Sequence, residues 1–492
     1  MFSFITVKSF PPYEIRRSFY KIKPIYRGIR SDLMKRKEII LTLSIIFTLF
    51  FLTSKLSVNQ VKSESSISGR DSMSIASSSI AISIHNDVEL ESYSVSGDGG
   101  SSTPFIIRDL DIDTGSTIAL RIEDTTKHFE IRNCTLTAMY GIYLDNVTGG
   151  TSRIENNTVY DCNSVAIYLL NTNGSWIVDN ILYNNHRGMS INTCYVTHII
   201  DNNVQSRDAG IFLRNSPYSS LVGNLMYGDG VELDEDSIED LLTISVSTTT
   251  VNDKPLLFSK SAVGSIPAGD YGQIIILNGT SLVIDWQDIS DVDIGISLWY
   301  CKAVHVTDCT FDNVQVGVEM ISTNSSSVTA CSFFDGSDGV HMNEGYDNLI
   351  YLNTFEQCSS GLSLYESSNL HILMNNFYDN SQEGLYMDIC YDSRIYWNNF
   401  TDNNQGNIQA FDYGGGNNTW YNSITLEGNY WSDYGGTGPY AIDGNTGSED
   451  LYPLSGPYII IPEFSFEMLG LWGVLISITF FLVIIPYIRR RK

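Results

Sequence analysis

A four-residue pattern, Gly-Ile-x-Leu, returns down this 492-residue chain at a nearly fixed interval. Its copies begin at Gly141, Ala166, Gly188, Gly210 and Gly230, and after a break at Gly295, Gly317, Gly339, Gly361 and Gly384. A second beat keeps time with it. A small polar residue falls at Cys134, Asn157, Asn180, Asn202 and Asn224, then at Cys309, Cys331, Asn353, Asn375 and Asn398. Steps within each block are 22 or 23 residues. Self-similarity at such a period means a solenoid, in which each repeat buries its apolar side only by stacking on its neighbours.

Both halves of the repeat alternate apolar and polar residues at period two, the mark of strands. No stretch of it carries apolar residues at helical spacing. A leucine-rich repeat would need Leu-x-Leu ahead of the Asn, and Ser175, Asn348 or Ser393 stand there instead. The pattern therefore predicts an all-β chain, a right-handed parallel β-helix of three short strands per coil, with membrane segments at its N- and C-terminal ends. Asn suits the turns because it tolerates left-handed backbone and can bond to the amide one coil away. In Gly-Ile-x-Leu the second and fourth residues point inward and the third outward. Met320, Met342 and Met387 are then stacked core residues, and Cys134, Cys309 and Cys331 are buried thiols in the Asn slot.

The net charge of −27 excludes nucleic acid as a main partner, since phosphate binding needs a basic face. Of 29 Lys and Arg, 10 lie in residues 1–37 and 4 are the last four residues. Residues 39–52 are an apolar run behind Lys35-Arg36-Lys37, the pattern of a signal peptide or signal anchor over 34–54. Residues 1–33 then read as a cytoplasmic tail or as an extension ahead of a true start at Met34. Residues 468–488 are long enough to cross a bilayer, and Arg489–Lys492 form a basic cytoplasmic tail. The acidic middle is expected outside the cell, anchored to the membrane. Between these ends the organisation reads as a Ser-rich tether (55–87), a first run of coils (88–233), an inserted hairpin or lobe with Asn252-Asp253 at its turn (234–272), a second run of coils (273–407) and a C-terminal cap (408–457). Eight cysteines without a Cys-x-x-Cys are no disulfide scaffold.

The cap carries the most specific signature: Gly428-Asn429-Tyr430-Trp431-Ser432-Asp433-Tyr434, then Gly438-Pro439-Tyr440, then Asp450-Leu451-Tyr452-Pro453-Leu454. This resembles the C-terminal end of archaeal proteins of the NosD-type family, periplasmic copper-binding right-handed β-helices. The Ile461-Pro462-Glu463-Phe464 sequence ahead of the apolar run resembles archaeal surface-anchoring C-termini. The resemblance covers about residues 100–457. It implies an exported repeat protein and points to copper as a ligand, but the family shares a scaffold more than a function.

The outward third positions form one candidate ligand-binding face, with Tyr143, Tyr168, Phe212, Glu232, Glu319, His341 and Tyr386 on it. Aromatic side chains one coil apart can stack on sugar rings, and the carboxylates and imidazole can bond hydroxyls. The expected function is a non-catalytic surface protein offering a rigid face to a polysaccharide or to a cell-envelope protein. A polysaccharide lyase or glycoside hydrolase is the alternative, with Asp335, Asp338 and His341 as the nearest approach to an acid–base set. A copper-handling accessory protein is the second alternative. Calcium is open as a ligand too, at Asp109-x-Asp111-x-Asp113 or Asp234-Glu235-Asp236.

Overall fold

The computed structural model describes residues 81–459. The expected membrane segments, 34–54 and 468–488, lie outside that range. Among the described residues no helix is long and apolar enough to cross a membrane.

The described chain winds as a right-handed parallel β-solenoid with three strands per coil. In the first half each coil contributes one strand to each of three parallel sheets of seven strands. Sheet 1 holds the Gly-Ile-x-Leu strands, from Ile82–Ile84 to Val231–Asp234; sheet 2 runs from Phe105–Arg108 to Ser245–Ser247; sheet 3, which follows the Asn, runs from Asp111–Asp113 to Thr250–Val251. The second half repeats the arrangement, with sheet 2 renewed as seven strands from Val263–Ser265 to Arg394–Tyr396. Alternation along the strands sets the facing. Ile142 and Leu144 are fully buried while Tyr143 is only half-buried. The opening Gly is needed for closeness between coils. A Cβ on Gly339 would lie 2.3 Å from Phe355 Cδ1 and 2.6 Å from the carbonyl oxygen of Gly361 one coil on.

Two stacks hold the coils together. The Asn residues form a buried hydrogen-bonded ladder, each backbone N–H donating to the side-chain oxygen of the next coil: Asn353 to Asn375 (2.9 Å), Asn375 to Asn398 (2.9 Å), Asn398 to Asn429 (3.1 Å). Each amide also donates to a carbonyl further back, as Asn375 Nδ2 does to Ile350 O at 2.9 Å. The ladder thus pairs the polar backbone of a dry corner, where unpaired groups would be costly. Cys134, Cys309 and Cys331 occupy its slot and are buried, as are all eight cysteines, none of them in a disulfide. The second stack is apolar. Phe311, Phe333, Phe355, Phe377, Phe400 and Trp431 lie ring on ring at 4.4–5.0 Å between centroids.

The ends are closed differently. At the N-terminal end a seven-residue helix, Asp87–Tyr93, lies over the first coil with Leu90 buried. Asn86 caps it, its side chain accepting from Val88 N and Glu89 N, while Asp87 accepts from Thr126 N and Oγ1. The tether expected to run to residue 87 therefore already contains the first strand, Ile82–Ile84. At the other end the cap signature acquires a physical meaning. Asn429 is the top rung of the Asn ladder and Trp431 the top ring of the Phe stack. Asp450 Oδ2 closes both, accepting from Asn429 N (2.7 Å) and Trp431 Nε1 (3.0 Å).

Residues 234–272 splice the two halves. A hairpin turns at Asn252-Asp253, both in the left-handed region. Its strands do not stand clear as a lobe. Ser245–Ser247 and Thr250–Val251 complete a coil of the first half, and Lys254–Lys260 pairs with Gln273–Leu277 as the first strand of the next sheet. The Gln273 amide then serves as a rung between backbones: Oε1 accepts from Val231 N at 2.9 Å, and Nε2 donates to Val231 O (2.9 Å) and Ile294 O (3.0 Å).

Candidate functional site

The outward third positions do form rows in register. One row runs Arg121, Tyr143, Tyr168, Ser190, Phe212, Glu232; the other runs Ile275, Ser297, Glu319, His341, Ser363, Tyr386, Phe411. The two rows differ in what their side chains already touch.

In the first row the aromatic faces are occupied. Tyr143 and Tyr168 stack on each other at 5.0 Å, and Tyr140 meets both edge-on. The Arg121 guanidinium lies 5.4 Å from the Tyr143 ring centroid. Arg187 lies 4.6 Å over Phe212, which is only 8% exposed, and bonds to Asp208 and, at 3.5 Å, to Glu232. Ring faces engaged in cation–π and π contacts are not open for a sugar. Tyr143, Tyr168 and Phe212 are thus brought together as expected, but as a self-satisfied stack.

The second row is polar and less committed. Ser297 Oγ donates to Glu319 Oε2 at 2.6 Å and accepts from Trp299 Nε1 at 2.8 Å. One coil on, His341 Nδ1 stands 3.4 Å from Asp338 Oδ2, and Ser363 Oγ donates to Asp338 Oδ1 at 2.7 Å. Tyr365 flanks His341 at 5.3 Å, and Tyr386 follows Tyr365 at 5.7 Å. Glu319, His341, Asp338 and Tyr386 are all half-buried. Asp335, the third residue of the expected acid–base set, is not part of this group. It sits exposed at a left-handed turn.

At the splice the carboxyl groups crowd, and burial dominates their chemistry. Desolvation pushes Glu232 up to about 7, against the pull of Arg187 and with the help of Asp208 and Glu319. Burial raises Asp229 to about 7, although Ser206 donates to it from both N and Oγ. Asp293, buried and facing Asp229, rises to about 9. It accepts from Gly230 N (3.3 Å) and Gln315 Nε2 (2.9 Å) and lines a 230 Å³ cavity with Arg207 and Asn313. Burial also raises Glu319, only partly offset by its Ser297 bond and by His341. Sequence reasoning reached Glu232 and Glu319, and Ser297 as a third position, but missed Asp229, Asp293 and Arg187. Nothing marks an Asp before Gly230 as buried; that depends on the break in the coils.

The residues present do not fit copper. Copper(I) needs thiolate or thioether, copper(II) imidazole. All eight thiols are buried, and burial pushes Cys134, Cys194 and Cys390 up to about 12. Met320, Met342 and Met387 lie in the core. The histidines are dispersed: His198 packs on Trp176, His305 bonds Ser327, His341 faces Asp338. Among the described residues no three His, Cys, Asp or Glu side chains converge to hold a metal ion. The acidic runs offered for calcium also split. Asp234 pairs with Arg214, Glu235 turns inward to Ser216 N, and Asp236 accepts from Asn215. Asp111 and Asp113 stay exposed on a strand, and Asp109 faces Arg108 at 3.5 Å.

Comparison with known proteins supports the fold. Residues 259–436 match the family model described as periplasmic copper-binding protein (NosD), and residues 93–249 match the right handed beta helix region. No curated protein matches the chain. Among solved structures it is similar to a double mutant of the periplasmic alginate epimerase AlgG, at 12% identity over 68% of this chain and 78% of that one, TM-score 0.26. It is similar as well to the catalytic domain of an α-1,3-glucanase in complex with nigerose, at 10% identity over 70% and 68%, TM-score 0.26. A mutant tailspike protein of E. coli bacteriophage HK620 in complex with pentasaccharide matches at 10% identity over 67% and 66%, TM-score 0.26. Likeness at this level carries nothing about substrate.

Proposed function

We propose that this right-handed β-helix, whose residues 259–436 match the NosD family model, acts as a surface-anchored glycan-binding protein with its binding strip on the second half. The observation that carries this reading is the half-buried set Glu319, His341 and Asp338, its carboxylates hydrogen-bonded by the buried hydroxyls of Ser297 and Ser363. It supplies hydroxyl-bonding groups on successive coils beside Tyr365 and Tyr386. Successive coils are about 4.8 Å apart, close to the advance of one hexose in an extended chain, so a polymer can meet one such group per sugar. Carboxylates line the strip and the chain is strongly acidic. Neutral or amino sugars are therefore favoured over uronate polymers. In this reading residues 468–488 anchor the chain and residues 34–54 export it, leaving the coils outside the cell, where a glycan or another envelope protein is the partner.

The test is retention of the full chain on neutral, amino-sugar and uronate glycans. Retention on the first two and not the third is the expected outcome; uronate-only retention would refute the strip's chemistry. A catalytic reading is favoured by one observation. Burial holds Glu232 up to about 7 and raises Glu319, so both bind a proton more readily than an ordinary carboxyl. Such groups are general-acid candidates. New reducing or unsaturated ends that vanish in Glu319→Gln would establish catalysis in place of simple binding.

A further inference from the structure

The corner between sheets 2 and 3 places one residue per coil in the left-handed region, immediately before the Asn-ladder residue. In the first half these residues are Asn133, Asn156, Asp179, Asp201 and Gly223, types that accept such backbone readily. In the second half the same corner carries Trp286, Asp308, Ala330, Leu352, Met374 and Trp397. Large apolar residues pay about 1–2 kcal/mol each for this conformation. Nothing in the folding of the corner requires them, since the first half builds the same turn with Asn and Asp. On the coils above Asp308, the residues Ala330, Leu352, Met374 and Trp397 form an unbroken apolar ridge down one flank, next to Tyr351, Leu373 and Tyr396 on the adjoining strands.

Part of the ridge is already covered by the chain itself. After the cap, Leu454 N donates to Asn429 O, at the level of the top ladder rung. Four residues later the chain is one coil lower. Tyr458 N donates to the side-chain oxygen of Asn399 at 2.6 Å, and Asn399 Nδ2 donates to Tyr458 O at 3.0 Å. The Tyr458 ring stacks on Trp397 at 5.4 Å. One side-chain amide and one apolar corner residue thus grip one residue of the descending strap. Below, the polar column continues with one further amide and then hydroxyls, and the apolar corner continues beside it. Asn376, Thr354, Ser332 and Thr310 continue the Asn399 column, and Met374, Leu352 and Ala330 continue the Trp397 column. Ile459, the next residue, is 80% exposed and is followed by Ile460-Ile461-Pro462.

We propose that this flank is the docking surface for the chain's own segment from Ile459 to Phe464, laid down the ridge with its backbone on the polar column and its apolar side chains on the corner residues. Six extended residues reach about 20 Å, or about four coils, enough to pass Met374, Leu352 and Ala330. The strap fastens the C-terminal segment to the side of the solenoid and not to its top.

Cysteine pairs in the full chain test this, the native thiols being buried and silent. Met374→Cys with Ile460→Cys should cross-link within one chain on mild oxidation, while Asp201→Cys with Ile460→Cys should not, since alternation from Tyr458 turns residue 460 toward the ridge. A covalent dimer from the first pair would assign the ridge to a second copy and overturn the proposal, as would no cross-link at all. An independent readout is peroxide oxidation of Met374, referenced to Met139. Ile460→Asp should speed it about tenfold by lifting the strap; an unchanged rate would also overturn the proposal.

Discussion

Asn375 shows how much one residue carries here. Its side chain accepts from Asn353 N and Asn353 Nδ2 and donates to Ile350 O and Asn398 Oδ1, all in a buried corner. Asn375→Ala leaves several of these groups unpaired, each worth about 1–3 kcal/mol. The expected loss is about 3 kcal/mol, read as a lowered denaturation midpoint. The buried carboxyls make a second prediction at this scale. In the folded chain Asp229, Glu232 and Asp293 hold protons to about 7, 7 and 9, above the ordinary values of unfolded carboxyls. Between about pH 4 and those values the folded state keeps protons that the unfolded chain has released, so stability falls as pH rises through that window. Tm should be lower at pH 9 than at pH 5, and Asp293→Asn should flatten the fall. A profile equally steep in Asp293→Asn would show that general repulsion among 56 acidic residues sets it instead.

Among the elements, the Phe stack is what distinguishes the core of the second half. The first half fills the equivalent positions with Leu136, Val159, Leu182, Val204 and Met226. Phe355→Ala opens a cavity between two rings at 4.8 and 5.0 Å and should cost about 3–5 kcal/mol. Because coils are coupled mainly to their neighbours, the damage should stay local. Limited proteolysis is expected to cut near 330–380 while the first half stays intact; cleavage spread evenly along the chain would contradict that. The elements also show what sequence could and could not give. Strand facing, the Asn ladder and the buried cysteines follow from period and residue type alone. The Asp87–Tyr93 helix did not, because seven residues are too few for a periodic signal. Nor did the path of the 234–272 segment, where Gln273 substitutes a side-chain amide for backbone pairing.

For the β-helix as a whole, the two runs of coils are alike in winding and unlike in dress. The first has polar corners and a closed aromatic row; the second has an apolar corner ridge and a polar row. The candidate site was half legible for this reason. Counting third positions finds the middle of both rows, from Tyr143 to Glu232 and from Ser297 to Tyr386, but residue type does not say that Arg121 and Arg187 cover the rings of the first. Two double variants of the full chain, tested side by side for glycan retention, probe the central claim most directly. If the strip lies on the second half, Glu319→Gln with His341→Ala reduces retention at least tenfold, and Tyr143→Ala with Tyr168→Ala leaves it within about twofold. The opposite pattern would place the binding face on the aromatic row of the first half and contradict the account.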